Sequence, residues 1–346
     1  MGAMIRVIGA LAAAAWLAAP PQAPPPAPQR PALGLAIEFE KTPAPEVERR
    51  AVEEVRRTGV NFFLLTLSWS KAEPAPRKYR VEEIARTARL FRQSGATLHL
   101  DLPLVAGRRR DVPADLEKSA FDDPKLSIRL GQLFEALRDA LADFSTISLG
   151  YEADAYFADK PEELKAYRRL FDGAVEFLGK VAPRLAVGVT TAAPGESVSP
   201  EVAAELHRKS PVLFYVYAPF EREKPFRHRP PDALDADWKR LLESAKDRPI
   251  AFPEISYSSA PENGSSPEKQ AEFVRRLRRF VSSADGKRIL FARYVTWRDP
   301  PPDLFRTDPS AAEPMRRRTS YLLHRGLQGP DGTAKPAWKE WVRGQK

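Results

Sequence analysis

The chain has 346 residues, a formal net charge of +9 and no cysteine, and 43% of its residues are hydrophobic. That length suits one large domain or two average ones, and the apolar share is enough to build a sizeable core. The missing thiol excludes disulfides, thiolate metal sites, cysteine nucleophiles and a lipid-modified cysteine anchor.

Residues 1–19 read as an export signal, with Arg6 in a positive leader followed by the apolar run Val7–Ala19. The run is short of the roughly 20 residues needed to cross a bilayer. The expectation is therefore a secreted or periplasmic protein with no membrane span left after cleavage. Residues 20–31 (PPQAPPPAPQRP) form a proline-rich linker, because repeated proline favours stiff, extended polyproline II. The folded domain is expected over 32–346.

From residue 33 onward, short apolar runs alternate with longer amphipathic ones. The predicted strands are Leu33–Phe39, Asn61–Leu67, Thr97–Leu102, Thr146–Leu149, Leu185–Thr190, Val212–Tyr217, Ile250–Ile255 and Ile289–Val295. They carry few charges before their C-terminal ends, as parallel strands buried on both faces do. Helices are predicted between them. Pro124–Phe144 places Leu126, Leu130, Leu133, Phe134, Leu137 and Leu141 on one face, and Pro161–Val181 repeats the pattern after an N-terminal proline. Ser266–Val281 opens with a serine cap. This strand-then-helix rhythm predicts an α/β fold, a single (β/α)₈ TIM barrel. The doubly wound alternative usually carries a glycine-rich first turn, and the turn here reads EFEKTPAPE.

Basic residues are scattered through helices among acids, with no aromatic-interleaved stripe or zinc pattern, so no nucleic-acid partner is expected. The positive charge admits attraction to an acidic polysaccharide or an anionic surface.

In a (β/α)₈ fold the chemistry sits at the C-terminal ends of the strands. Those ends carry Glu38 and Glu40, Ser68 and Trp69, His99 and Asp101, Tyr151, Glu152 and Asp154, Tyr215 and Tyr217, Glu254 and Tyr257, then Arg293, Tyr294 and Trp297. Carboxylates with aromatics suit a sugar site, since acids drive glycoside chemistry and aromatic faces stack on pyranose rings.

The segments SWSKAEPAPRKYR (Ser68–Arg80), SLGYEADAYF (Ser148–Phe157), VYAPF (Val216–Phe220), AFPEISYSSAPENGSSPEKQAEFV (Ala251–Val274) and GLQGPDGTAKPAW (Gly326–Trp338) occur in that order. Together they resemble the glycoside hydrolases that share a (β/α)₈ barrel with catalytic glutamates on strands four and seven, in a bacterial secreted subgroup. The resemblance runs over about residues 33–343. It implies Glu152 as acid/base and Glu254 as nucleophile, acting on β-linked oligo- or polysaccharide with retention. It also implies substrate contacts from Tyr151, Trp69, Asp101, His99, Asp154, Tyr217 and Trp297, with Tyr217 a candidate to orient Glu254.

One departure matters. The resembled family has asparagine before the acid/base, contacting the sugar 2-hydroxyl, and this chain has Tyr151. Contacts to that hydroxyl strengthen in the transition state. A non-catalytic barrel that binds carbohydrate or a cell-wall partner therefore stands as the alternative function. His99 and Asp101 share a strand face, but no third ligand accompanies them, and a hydrogen-bonded pair is the expected reading. No metal and no cofactor are expected, and the protein is expected to act as a monomer.

Overall fold

The computed structural model describes residues 31–38, 45–283, 285–305 and 310–343. The expected export signal, all but the last residue of the proline-rich linker, and Glu40 lie outside the described residues.

Eight strand positions appear where the apolar runs predict them. They are β1 (Ala32–Leu35), β2 (Phe62–Thr66), β3 (Thr97–Asp101), β4 (Thr146–Ser148), β5 in two segments (Ala186–Gly188 and Thr190–Ala192), β6 (Leu213–Tyr217), β7 (Ile250–Ile255) and β8 (Ile289–Tyr294). The main helices are α1 (Pro45–Arg56), α2 (Glu82–Gln93), α3 (Pro124–Ala136), α4 (Pro161–Val181), α5 (Pro200–Leu206), α6 (Ala233–Ala245), α7 (Pro267–Val281), α8 (Glu313–His324) and α9 (Pro336–Arg343). The sheet runs from the first segment of β5 through β4, β3, β2, β1, β8, β7 and β6 to the second segment of β5. Its two ends are thus pieces of one strand, separated by Val189 alone. The registered pairs β1–β2, β1–β8, β3–β4, β4–β5 and β7–β8 are all parallel. This strand order, with a helix after each strand, is that of an α/β (β/α)₈ barrel.

The chain divides into two compact units. The first comprises residues 64–191 and 197–214. Its helices start where the sequence punctuates them: the Asp123 side chain accepts from the Lys125 N–H at 2.8 Å, and Pro124 opens α3. The apolar stripe of α3 is fully buried at Leu126, Leu130, Leu133 and Phe134. Each such side chain contributes about 1.5–3 kcal/mol relative to exposure. The helix stops at Ala136 and resumes as Arg138–Leu141, yet Leu137 and Leu141 remain buried, so the periodicity reads through the break. Phe121, Tyr156, Phe157 and Tyr167 form an aromatic cluster, with centroid separations between 4.8 and 6.2 Å.

The second unit holds the described parts of 31–63, with 192–196 and 215–343. Gly34 of β1 is needed for its packing, because a Cβ there would lie 2.6 Å from the Phe62 ring. Its absence lets Phe62 and Phe291 stack at 4.0 Å. Ser266 caps α7 by accepting from the Lys269 N–H at 3.2 Å. Helix α9 packs on α7, and buried Trp341 donates to Thr58 Oγ1 at 3.1 Å. Helix α9, which begins in the KPAW run, is thereby a structural anchor through Trp341.

Candidate active site

In the first unit, the segment after β4 carries Tyr151 and Glu152. The hairpin Val105–Ala106/Arg109–Arg110 grips it through the backbone: Tyr151 N–H donates to Val105 O and Gly107 N–H to Tyr151 O, both at 2.9 Å. Glu152 follows with φ +48° and ψ 42°, the left-handed region, at the N-cap of the helix Ala153–Asp159. A non-glycine residue there stores about 1–3 kcal/mol of strain, a cost tolerated mostly where function needs it. The side chain makes no capping bond and is half-buried, so the position is not spent on starting the helix.

The other residues predicted in this unit are buried and take partners within the fold. Trp69 is fully buried, and its Nε1 donates to Glu73 Oε2 at 2.9 Å. Glu73 also accepts from Arg77 N–H at 2.7 Å and pairs with Arg129 at 2.8 Å. A stacking platform needs a bare ring face, and Trp69 has none. His99 is likewise 0% exposed, with Nδ1 2.8 Å from Thr146 Oγ1 and its ring near Phe214. Asp101 is buried and accepts from Ser148 Oγ at 3.0 Å, while Thr190 Oγ1 donates to that serine at 2.9 Å. The β3–β4 register dictates both partners, since His99 lies beside Thr146 and Asp101 beside Ser148. Asp154 is buried and accepts from Ser197 Oγ at 2.5 Å, tying the short helix to the segment leading into α5.

In the second unit, Glu254 sits near the end of β7 on a bulge. Phe252 pairs with Ala292 and Ile255 with Tyr294, so β7 advances three residues where β8 advances two. Pro253 has no N–H for the ladder, which suits it to that irregularity. Phe252 stacks on Trp238 of α6 at 4.8 Å, and strict alternation would send Glu254 the same way. The extra residue releases it from that row, the usual way a bulge re-aims a side chain. The carboxylate meets Arg325 Nη1 at 3.2 Å, and Arg325 Nη2 lies 3.2 Å from Glu38 Oε2. Burial opposes the charge on Arg325, but Glu254, Tyr321 and Glu38 hold it above the ordinary guanidinium range.

Tyr217 does not orient Glu254. Its hydroxyl donates to Asp237 Oδ2 at 2.8 Å, and its ring lies 6.2 Å from Trp238 of α6 and 6.3 Å from Phe273 of α7. Alternation along β6 sends this residue to the helix side. Trp297 is buried, with the Arg298 guanidinium 3.8 Å over its ring, so the expected sugar platform already has a cation on one face.

The sequence reading missed the ionic partners. Arg325 is one; Glu196, Arg229 and Asp237 are others. Arg229 reaches Asp237 Oδ1 at 3.0 Å and Glu196 Oε1 at 3.2 Å, while Ala218 N–H donates to Glu196 Oε2 at 3.0 Å. Burial pushes the Glu196 carboxyl up to about 8, against the pull of Ala218 N–H and Arg229. Their residue types carried no motif, and their partners lie on other elements. Among the described residues no group of three or more His, Asp or Glu is placed to hold a metal ion, and no helix is long and apolar enough to cross a membrane. A groove of about 760 Å³ between α6 and α7, lined by Lys239, Leu242, Arg276, Phe280 and Arg288 among others, contains none of the predicted site residues.

No protein-family model and no curated protein sequence matches the chain. Solved structures do match in fold. A GH5_18 structure from Streptomyces cattleya, in complex with Manβ1-4GlcNAc, has a TM-score of 0.64 at 17% identity, covering 90% of this chain and 79% of that one. A GH5_18 structure from Bifidobacterium longum subsp. longum has a TM-score of 0.62 at 14% identity, covering 91% and 78%. An exo-β-1,4-mannosidase from Opitutaceae bacterium strain TAV5 has a TM-score of 0.60 at 15% identity, covering 91% and 59%. The chain therefore has the (β/α)₈ fold of these glycoside hydrolase structures.

Proposed function

We propose that the protein is a β-glycosidase working by double displacement with retention, Glu254 being the nucleophile and Glu152 the acid and base. Glu254 attacks the anomeric carbon as Glu152 gives its proton to the leaving oxygen, and a glycosyl ester forms. Glu152 then takes a proton from water, which breaks the ester and restores the original configuration. The observation that carries this reading is Glu254, turned by a strand bulge onto Arg325 at the C-terminal end of β7. The half-buried, left-handed Glu152 after β4 supports it. β-Mannosides are the first substrates to try, since one structure similar in fold holds Manβ1-4GlcNAc and another is an exo-β-1,4-mannosidase. We place this activity outside the cytoplasm, on the export-like residues 1–19.

Glu254→Gln should reduce release of 4-nitrophenol from 4-nitrophenyl β-D-mannopyranoside, and cleavage of Manβ1-4GlcNAc, to background while the variant still folds and unfolds cooperatively. Proton NMR should show the β-anomer as the first product. A variant as active as wild type removes Glu254 as nucleophile. Tyr151 in place of asparagine favours a second reading, a barrel that binds glycan without cutting it. Binding by wild type and variant alike, with cleavage by neither, would establish that reading.

A further inference from the structure

We infer that Arg325 positions Glu254 and that Glu38 is the counter-ion that keeps Arg325 paired while Glu254 is esterified; this rests on Glu254 being the nucleophile. The guanidinium forms a bridge, one nitrogen on each carboxylate at 3.2 Å. Arg325 and Glu254 side chains are each 15% exposed, whereas Glu38 is 47% exposed. The backbone at Arg325 is fixed from several sides. Its carbonyl accepts from Gln270 Nε2 of α7 at 3.3 Å and Tyr294 Oη of β8 at 3.2 Å, and Asp299 accepts from the next N–H at 2.7 Å.

The charge count explains why two carboxylates are needed. In the free enzyme one guanidinium faces two carboxylates. When the bond from Glu254 to the anomeric carbon forms, the glycosidic C–O bond breaks and the Glu152 proton leaves with the aglycone, so Glu254 becomes neutral. A largely buried guanidinium left without an anion is strongly unfavourable. Glu38 keeps it paired in both states and so favours the ester relative to the free carboxylate. Tyr321 also lies against the guanidinium, 5.8 Å from Arg325 Cζ to the ring centroid, but it is neutral and its hydroxyl bonds Ser256, so it supplies no anion. The His324 ring bonds Ser320 O, and Lys335 pairs with Asp299. What changes the pairing is the covalent state of Glu254.

The test is Glu38→Gln, a change at an exposed position, with 2,4-dinitrophenyl β-D-mannopyranoside. This leaving group makes ester hydrolysis limit kcat, while kcat/KM still reports ester formation. Loss of Glu38 should lower kcat/KM by about two- to fivefold, the range for a partly exposed ion pair, with kcat unchanged or raised. The same change in an Arg325→Gln background, where no cation needs an anion, should have no further effect. Equal falls in kcat and kcat/KM, no change in either, or an undiminished effect in that background would overturn the inference alone. Turnover of the probe by Glu254→Gln at the wild-type rate would overturn the nucleophile assignment and this inference with it.

Discussion

At the ends of β3 and β4, buried polar side chains take partners from the neighbouring strand or the adjoining turn: His99 takes Thr146, Asp101 takes Ser148, and Asp154 takes Ser197. In the second unit the partners are full charges: Arg325 for Glu254 at the end of β7, and Arg229 for Glu196 after β5 and for Asp237 of α6. The first arrangement is uncharged on one side, and it holds a fixed scaffold. The second places opposite charges out of bulk water, where a change in one partner is felt strongly by the other. Chemistry that moves charge belongs in surroundings of the second kind.

The comparison breaks most visibly at Trp69. If it is scaffold, Trp69→Ala removes a fully buried indole and a donor to Glu73, and should cost about 3–5 kcal/mol in urea unfolding. A residue that only stacks on sugar would leave the unfolding midpoint in place and weaken glycan binding instead.

A smaller effect probes the charged region through pH. The Glu196 carboxyl, pushed up to about 8 from 4.5, binds more protons folded than unfolded between those values. Its contribution is therefore fully present below about pH 4.5 and is lost as pH rises through 8. At about 1.4 kcal/mol per pH unit the difference sets an upper bound of about 5 kcal/mol, and the 11% exposure of the side chain brings the expected loss nearer to about 3 kcal/mol. Urea midpoints of wild type should fall across that window, and those of Glu196→Gln should fall less. Equal slopes would mean that this carboxyl is ionised throughout.

These two regions also mark what could be read in the sequence. Strand positions were legible because apolar runs bounded by polar ends have few other uses, and Pro161–Val181 matches its predicted bounds because proline starts it. Glutamates at strand ends were legible as residue types. The direction of Tyr217 was not, since alternation defines two faces without saying which one meets the helices. Nor was the setting of Glu254, whose partner Arg325 lies 71 positions away and bonds in turn to Glu38, 287 positions from it. The bulge at Pro253 and Glu254 depends on β8 as much as on β7. Long-range pairing and register are properties of the folded chain, and single-residue patterns carry little of either.

The smallest test sharpens the local side of the comparison. Ser197→Ala removes one donor from the buried Asp154 carboxylate, which keeps other interactions. The expected loss is about 1.5 kcal/mol, the low end for a hydrogen bond to a charged group. It should appear in urea unfolding with kcat/KM within about twofold of wild type, because a 1.4 kcal/mol effect on the transition state would already be tenfold. A large fall in kcat/KM with stability intact would instead put Asp154 in contact with substrate, and the region after β4 would then be more than scaffold around Glu152.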